Sequence, residues 1–305
     1  MRIIVCVKQV NRMIHPTAVD LVTGQPDPGL MVDLLNPDDE VAVEAGLRIR
    51  QSVPGATLAV VTVGPPDSER ALRFSAAMGG ALVDRRIRVD AEPADAWNAA
   101  QLLAAWLRST GFDLILCGQR AIDTGGGQLG SFVATLLDVA QVSGIVRLDL
   151  PPSGSSVVVE RALGRGDREE VECRLPALLT VDRALHEPRY PTYPNRHRAE
   201  QAHIEVIRPA DAAGAEPLTQ IRKLAPPRPK TRKVFTIDTS LSLADRMTQM
   251  VAGGGAKKEG GTVLEVGPEE AARQIVELLL QNRMVPGVES LGGAGKAGVE
   301  PDARG

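Results

Sequence analysis

Short Val/Ile/Leu-rich runs alternate regularly with helix-period segments through the first half of this chain. Runs that stay apolar on successive positions suit strands buried on both faces, and a helix after each strand supplies the cover. The runs are RIIVCVKQV from Arg2, ATLAVVTVG ending at Gly64, ALVDRRIRVD ending at Asp90 and DLILCG ending at Gly118, with later strands expected at SSVVVER and PALLTVDR. Helices are predicted from Asn36-Pro37 to about Gln51 and over 67–78, 95–109 and 127–138. At the start of the first, Asn36 can cap, Pro37 suits the opening turn, and Asp38, Asp39 and Glu40 complement the positive end of the helix dipole. The expected fold class is α/β, with a doubly wound, mostly parallel sheet.

The junction DLILCGQRAIDTGGGQLGSFVATLLD leads from a buried strand into a helix through Gly125, Gly126, Gly127 and Gly130. Glycines let a phosphate approach the backbone without Cβ obstruction, and the free N–H groups of the helix start near Gly127, Gln128 and Leu129 suit an anion. The ligand class this implies is a nucleotide, bound at the carboxyl ends of the strands, near Cys6 to Lys8, Val63 to Pro65 and Gly118. Gly125, Gly127 and Gly130 also satisfy G-x-G-x-x-G, with Asp149 at dinucleotide-fingerprint spacing. That match is weak, because QRAIDT separates the strand from the first glycine where the fingerprint needs a tight turn. A glycine-rich turn with no ligand is the competing structural reading.

Other chemistry is hard to find. No G-K-[ST] follows a glycine loop, and no G-x-S-x-G elbow or H-E-x-x-H helix occurs. His15, His186, His197 and His203 are scattered, and Asp123 in the glycine loop suits a turn-capping aspartate better than a base. Cys6, Cys117 and Cys173 are too dispersed for a disulfide framework or a zinc site. The formal net charge of -3 argues against nucleic acid as a partner. Met1 runs directly into an apolar strand, and no apolar run approaches the ~18 residues of a membrane span. Together these predict a cytoplasmic, unprocessed protein without membrane insertion.

The expected domains are 1–210, a nucleotide-binding α/β domain, and 211–305, a core-poor arm. The second part is rich in glycine and proline and has Phe235 as its one aromatic residue. Within it, PEEAARQIVELLLQNRM from Pro268 reads as a helix, with Ile275, Leu278 and Leu279 needing a surface to cover. The stretch from Arg222 to Lys233 carries six basic residues and no acid, which suits a solvated linker or a strip for an acidic partner. VAGGGAKKEGG reads as a flexible linker and GGAGKAGVEPDARG as a disordered tail.

Several separated segments, in order, resemble the electron-transfer flavoprotein beta subunit. They are VCVKQV at 5–10, NPDDEVAVEAGLR at 36–48, VTVGPP at 61–66, RALRFSAAMGG at 70–80, DLILCGQRAID at 113–123, LPALLTVD at 175–182 and EPRYP at 187–191. The ending GTVLEVGPEEAARQIVELL is similar too. The resemblance implies a non-enzymatic half of a heterodimer whose alpha subunit holds most of one FAD. Such a protein carries electrons from a dehydrogenase to a quinone oxidoreductase or ferredoxin-type acceptor. It also implies a second nucleotide in this subunit, AMP in ordinary members and a second FAD in members that bifurcate electrons. The matching contacts are Cys6, Asn36, Val63, Gly118, Asp123, Gly127, Gln128 and Leu129.

Two departures matter. AMP-type members commonly carry acidic and amide residues followed by a threonine where this chain has TGGGQL, so Leu129 replaces a hydroxyl. Leu129, NPDD, VDLVTG at 19–24 and ADRMTQMVAGGG resemble the nitrogen-fixation-associated and bifurcating branches, although those keep polar residues where three glycines stand here. The segment after EPRY is similar to the family's recognition loop, which places Tyr193 as the side chain presented to a dehydrogenase, with Arg189 and Arg196 as further docking residues. The loop's usual methylatable lysines are absent from NRHRAEQ. Two other readings stay open: a stand-alone adenine-nucleotide sensor resembling universal stress proteins, and an NAD-dependent oxidoreductase built on Gly125 to Gly130.

Overall fold

The computed structural model describes residues 1–13, 27–151, 154–208, 217–220, 222, 242–251 and 266–281. The chain divides into two units, Met1–Arg228 and Pro229–Gly305. In the first, the elements begin β1 (Arg2–Cys6), β2 (Gln9–Met13), β3 (Met31–Leu35), α1 (Pro37–Ser52), β4 (Thr57–Gly64), α2 (Glu69–Gly79), β5 (Arg85–Asp90) and α3 (Ala96–Thr110). They continue with β6 (Leu114–Gly118), α4 (Leu129–Leu137), β7 (Ala140–Asp149), β8 (Ser156–Gly164), β9 (Asp167–Arg174), β10 (Ala177–Val181), α5 (Tyr193–Glu200) and β11 (Glu205–Ile207). The described part of the second unit contains α6 (Leu243–Val251) and α7 (Pro268–Gln281).

One sheet runs in the order β11-β5-β4-β1-β6-β10-β7-β8-β9, parallel as far as β7 and antiparallel across β8 and β9. Alternation along β1 shows how both faces are covered. Ile3 and Val5 enter one apolar cluster with Val41 and Leu47 of α1 and Leu72 of α2, while Ile4 and Cys6 enter the other with Leu103 and Leu107 of α3 and Val133 of α4. This is the doubly wound α/β sheet, and the period-two pattern of each strand decides which helix layer it meets.

Several elements depart from the sequence reading. The run from Arg2 to Val10 is two strands, because after Cys6 the chain turns into a separate antiparallel ribbon of β2 and β3. β7 was hidden by Gly144, which sits at φ +68° beside a register irregularity and donates its N–H to Thr180 Oγ1 at 3.1 Å. β9 is so charged and exposed that it lacks the apolar signature of a strand. α5 falls where Pro191 and Pro194 suggest a turn, but Pro194 stands in the first turn of the helix, where proline is tolerated. The VDLVTG segment, most of the basic run, the linker after Val251 and the tail lie outside the described residues.

The strand order places a topological switch between β1 and β6: β4 and β5 extend from one side of β1, and β6 and β10 from the other. Carboxyl ends that diverge at such a point leave a crevice and unpaired N–H groups. Asp39, in the first turn of α1, bridges it, accepting the Lys8 N–H at Oδ2 (2.8 Å) and the Gly118 N–H at Oδ1 (3.1 Å). The packing is close enough that a Cβ on Gly118 would lie 2.2 Å from Asp39 Oδ1 and 2.8 Å from the Asp38 carbonyl carbon. Burial pushes the Asp39 carboxyl up from 3.8 to about 7, against the opposing hydrogen bonds of Asn36, Lys8 and Gly118. The folded state therefore holds this proton more tightly than the unfolded chain does. The corresponding stabilisation is complete below about pH 4 and is lost as the pH rises through about 7. The unfolding free energy of the wild type relative to Asp39→Asn is expected to fall by up to about 4 kcal/mol between pH 4 and 8. Urea titrations across that range measure it, and parallel curves for the two proteins would show that Asp39 is charged throughout.

Candidate functional site

At the switch point, the segment from Gly118 to Leu129 rises from β6 and returns into α4. Its base is pinned. The Gln119 N–H bonds Val181 O at 3.0 Å, and Asn36 holds the next residues from both sides. Asn36 Nδ2 donates to Arg120 O at 3.0 Å, and Asn36 Oδ1 accepts the Ile122 N–H at 3.1 Å. Asn36 stands at the N-cap position of α1, yet its side chain makes no capping bond. The capping role expected for it is thus corrected: the Asn36 amide serves the loop, and Pro37 at the first helical position removes one of the orphan N–H groups of the helix start.

Lys8 contributes twice, its N–H to Asp39 and its ammonium to Asp123 Oδ2 at 2.7 Å. Asp123 also accepts the following Thr124 N–H at 2.7 Å, the turn-capping behaviour expected of it. Asp38, almost fully buried, accepts the Arg120 N–H at 3.3 Å and pairs with Arg183. The residues from Asp123 to Gln128 are exposed. Gly125 and Gly127 adopt φ +64° and +61°, where a side chain would be strained, and a Cβ on Gly127 would meet Gln119 O at 3.2 Å. Gln128 occupies the α4 N-cap position without a capping side-chain bond, leaving the helix start open. Gly130 has a different purpose: its Cβ would lie 2.6 Å from Thr180 Cγ2, so it permits close packing of α4 on β10.

Of the residues named from the sequence, Asn36, Gly118 and Asp123 are therefore linked through Lys8 and Asp39, and Gly127, Gln128 and Leu129 form the open rim and helix start. Val63 lies half-buried near the end of β4, whereas the Cys6 thiol packs in the apolar cluster opposite Cys117 in the β1–β6 register. All three cysteines are free thiols. Sequence reasoning gave no site role to Asp39 or Arg120 and placed Lys8 only among the strand ends around the pocket. Their partners are too distant along the chain for a local motif to show them.

The residues after β10 form a second region. Tyr190 and Tyr193 are 91% and 82% exposed, and Arg196 is exposed beside them. Arg189 is engaged: its Nε and Nη2 bond the Glu44 carboxylate at 2.7 and 3.0 Å. Burial opposes ionisation of Glu44, but the hydrogen bonds from Arg189 and Arg48 outweigh it and hold the carboxyl below its ordinary range. Arg189 thus fastens the segment to α1. A cavity of about 610 Å³ between α1 and residues 183–188, lined by Glu40, Arg48, Arg183 and His186, includes none of the glycine loop. Among the described residues, no group of His, Cys, Asp and Glu could hold a metal ion, and no helix is long and apolar enough to cross a membrane.

Comparison with known proteins bears on both regions. The electron transfer flavoprotein domain matches residues 32–212, more than half of the chain. The chain is 32% identical over 252 residues to the electron transfer flavoprotein subunit beta of Bacillus subtilis, covering 81% of this chain and 85% of that protein. It is 35% identical over 182 residues to the human electron transfer flavoprotein subunit beta, covering 58% and 69%. It is 36% identical over 195 residues to CarD, a subunit of the caffeyl-CoA reductase-Etf complex of Acetobacterium woodii, covering 62% and 71%. Neither alternative reading is favoured by these matches, and the long loop between β6 and α4 lacks the tight turn of an NAD fingerprint. The fold and these similarities together place the chain in the electron transfer flavoprotein family, as a beta subunit.

Proposed function

We propose that this chain is the nucleotide-carrying half of a heterodimeric electron carrier. It pairs with an electron-transfer flavoprotein alpha subunit that holds most of one FAD, and its own switch-point site holds an adenine nucleotide, a second FAD or AMP. When bound, flavin supplies reversible uptake and release of electrons. This chain holds the nucleotide and docks the proteins that exchange electrons with it, a dehydrogenase as donor and a quinone oxidoreductase or ferredoxin-type protein as acceptor. The arm over 211–305 docks on the alpha subunit, a reading supported by exposed Leu243 and Met247 on α6 and Ile275, Val276, Leu278 and Leu280 on α7.

The observation that carries the nucleotide assignment is the loop after β6, pinned at its base by Asn36 and open at Gly125 to Gln128 beside an uncapped helix start. Such a loop offers a phosphate its backbone N–H groups, with Cys6, Val63 and Gly118 on the strand ends beneath. With few side chains on the rim, the backbone does most of the binding and either nucleotide fits. Leu129, in place of a hydroxyl, inclines the reading to FAD and hence to electron bifurcation. Purification with the alpha subunit, denaturation, and counting of released flavin and AMP tests this. Two flavins per heterodimer are expected, one flavin with one AMP would assign AMP, and no nucleotide beyond a single flavin would overturn the site.

Gly127→Val places a β-branched side chain at φ +61° and against Gln119 O. It is expected to release this subunit's nucleotide while the alpha-subunit FAD stays. Flavin content then falls by half if the ligand is FAD, and AMP alone is lost if it is AMP. Full retention would refute the phosphate role of the loop.

Tyr193, with Arg196 beside it and Arg189 fastening the segment, is the proposed anchor for the dehydrogenase. Its exposed ring is the kind of group that fills a partner's pocket. Tyr193→Ala is expected to weaken docking by about 1 to 3 kcal/mol, with fold and bound flavin intact. Electron-transfer rates measured against dehydrogenase concentration show it, and an unchanged concentration dependence would reduce Tyr193 to a turn residue.

A further inference from the structure

α5, which begins with Tyr193, is poorly equipped to stand on its own. It has eight residues, Pro194 in its first turn and one buried side chain, Ala199. Helices this short do not persist alone in water. Its apolar contact with α2 is a cluster of three small residues, Ala76, Ala77 and Ala199.

The stronger attachment is at its far end. Arg73 of α2 directs Nη1 to three carbonyl oxygens there, Ala199 O at 3.1 Å, Glu200 O at 2.6 Å and Ala202 O at 3.4 Å. These belong to the final turn of a helix and the residues just after it, where carbonyls lack intrahelical donors and a cation is favoured by the dipole. Arg73 is itself held in place, for Nη2 bonds Glu69 Oε2 at 3.3 Å and Glu69 Oε1 accepts Arg88 Nε at 3.0 Å. Arg88 is buried in the sheet, bonded to Gly64 O at 3.1 Å and Asp90 Oδ1 at 2.5 Å. A connected chain of charged groups thus runs from β5 through α2 to the end of α5. At the opposite end of α5, Thr192 caps the helix by accepting the Asn195 N–H at 3.4 Å, and the Asn195 side chain lies against Gly80, with no charged group comparable to Arg73 in the bonds described there.

We infer that Arg73 is a positioning residue for electron transfer: by gathering the carbonyls at the end of α5, it keeps the helix folded on α2 and presents Tyr193 to the incoming dehydrogenase. This rests on the reading of Tyr193 as the docking side chain. The hydrogen bonds of Arg73 go to α5, the residues after it and Glu69, none of them in the glycine loop, and no local motif marks it, since its carbonyl acceptors lie more than a hundred residues away along the chain.

The test uses the purified heterodimer, with a purified flavin-dependent acyl-CoA dehydrogenase, reduced by its own substrate, as donor probe. Arg73→Met keeps the aliphatic stem and removes the donors. Amide exchange over 193–202 should quicken, and the donor concentration for half-maximal rate should rise about tenfold if the presented conformer falls to about a tenth of the population, with the limiting rate preserved. Arg73→Lys, whose ammonium can still reach carbonyls, should recover most of the loss. Added to Tyr193→Ala, Arg73→Met should have little further effect. Unchanged exchange over 193–202, or faster exchange with unchanged donor dependence, would overturn the inference. If Tyr193→Ala is silent while Arg73→Met is not, the Tyr193 reading fails and Arg73 positions some other contact of α5. If both are silent, both fail.

Discussion

A carboxylate placed across two strand ends organises this molecule. Parallel strands that diverge at a switch point leave N–H groups with no neighbouring strand to accept them, and orphaned donors in a buried setting are costly. Asp39 answers two of them, those of Lys8 and Gly118. Burial raises its carboxyl to about 7, so its desolvation outweighs the hydrogen bonds that favour its charge. The position has a structural return. With Asp39 in the crevice, α1 begins directly over the strand ends, and its neighbours Asn36 and Asp38 come within reach of the loop after β6. Three polar residues of one helix start, Asn36, Asp38 and Asp39, thereby build the floor and hold the rim.

The glycines of the loop divide this work between them. Gly118 makes room for the Asp39 bridge, Gly125 and Gly127 supply left-handed turns at the rim, and Gly130 lets α4 lie against β10. The G-x-G-x-x-G spacing is therefore partly meaningful, its last glycine having the packing function of a dinucleotide fingerprint while its first lies far from the strand.

Local patterns made the central strands, α1 and the glycine loop legible, because continuous Val/Ile/Leu runs and a proline-opened acidic helix start are short-range signals. What they missed has a common physical cause. β7 carries a glycine irregularity, β9 alternates charges in solvent, and α5 hides behind two prolines, so in each case tertiary context overrides local preference. Asp38 and Asp39 read as ordinary dipole-favouring acids, and nothing nearby reveals that Asp39 will collect amides from positions 31 and 79 residues away. Nor does any local pattern reveal that Arg189, read as a docking residue, bonds buried Glu44, a partner 145 residues distant.

The decisive measurement is residue-resolved amide exchange in the purified heterodimer, with the proposed nucleotide bound and after it has been stripped. If the Asp39 bridge builds the site in advance of the ligand, the amides of Lys8 and Gly118 stay protected in both states. Those of Gly126, Gly127 and Gln128 gain protection only when nucleotide is present. Free exchange at Lys8 and Gly118 in the stripped protein, or a rim indifferent to nucleotide, would contradict it.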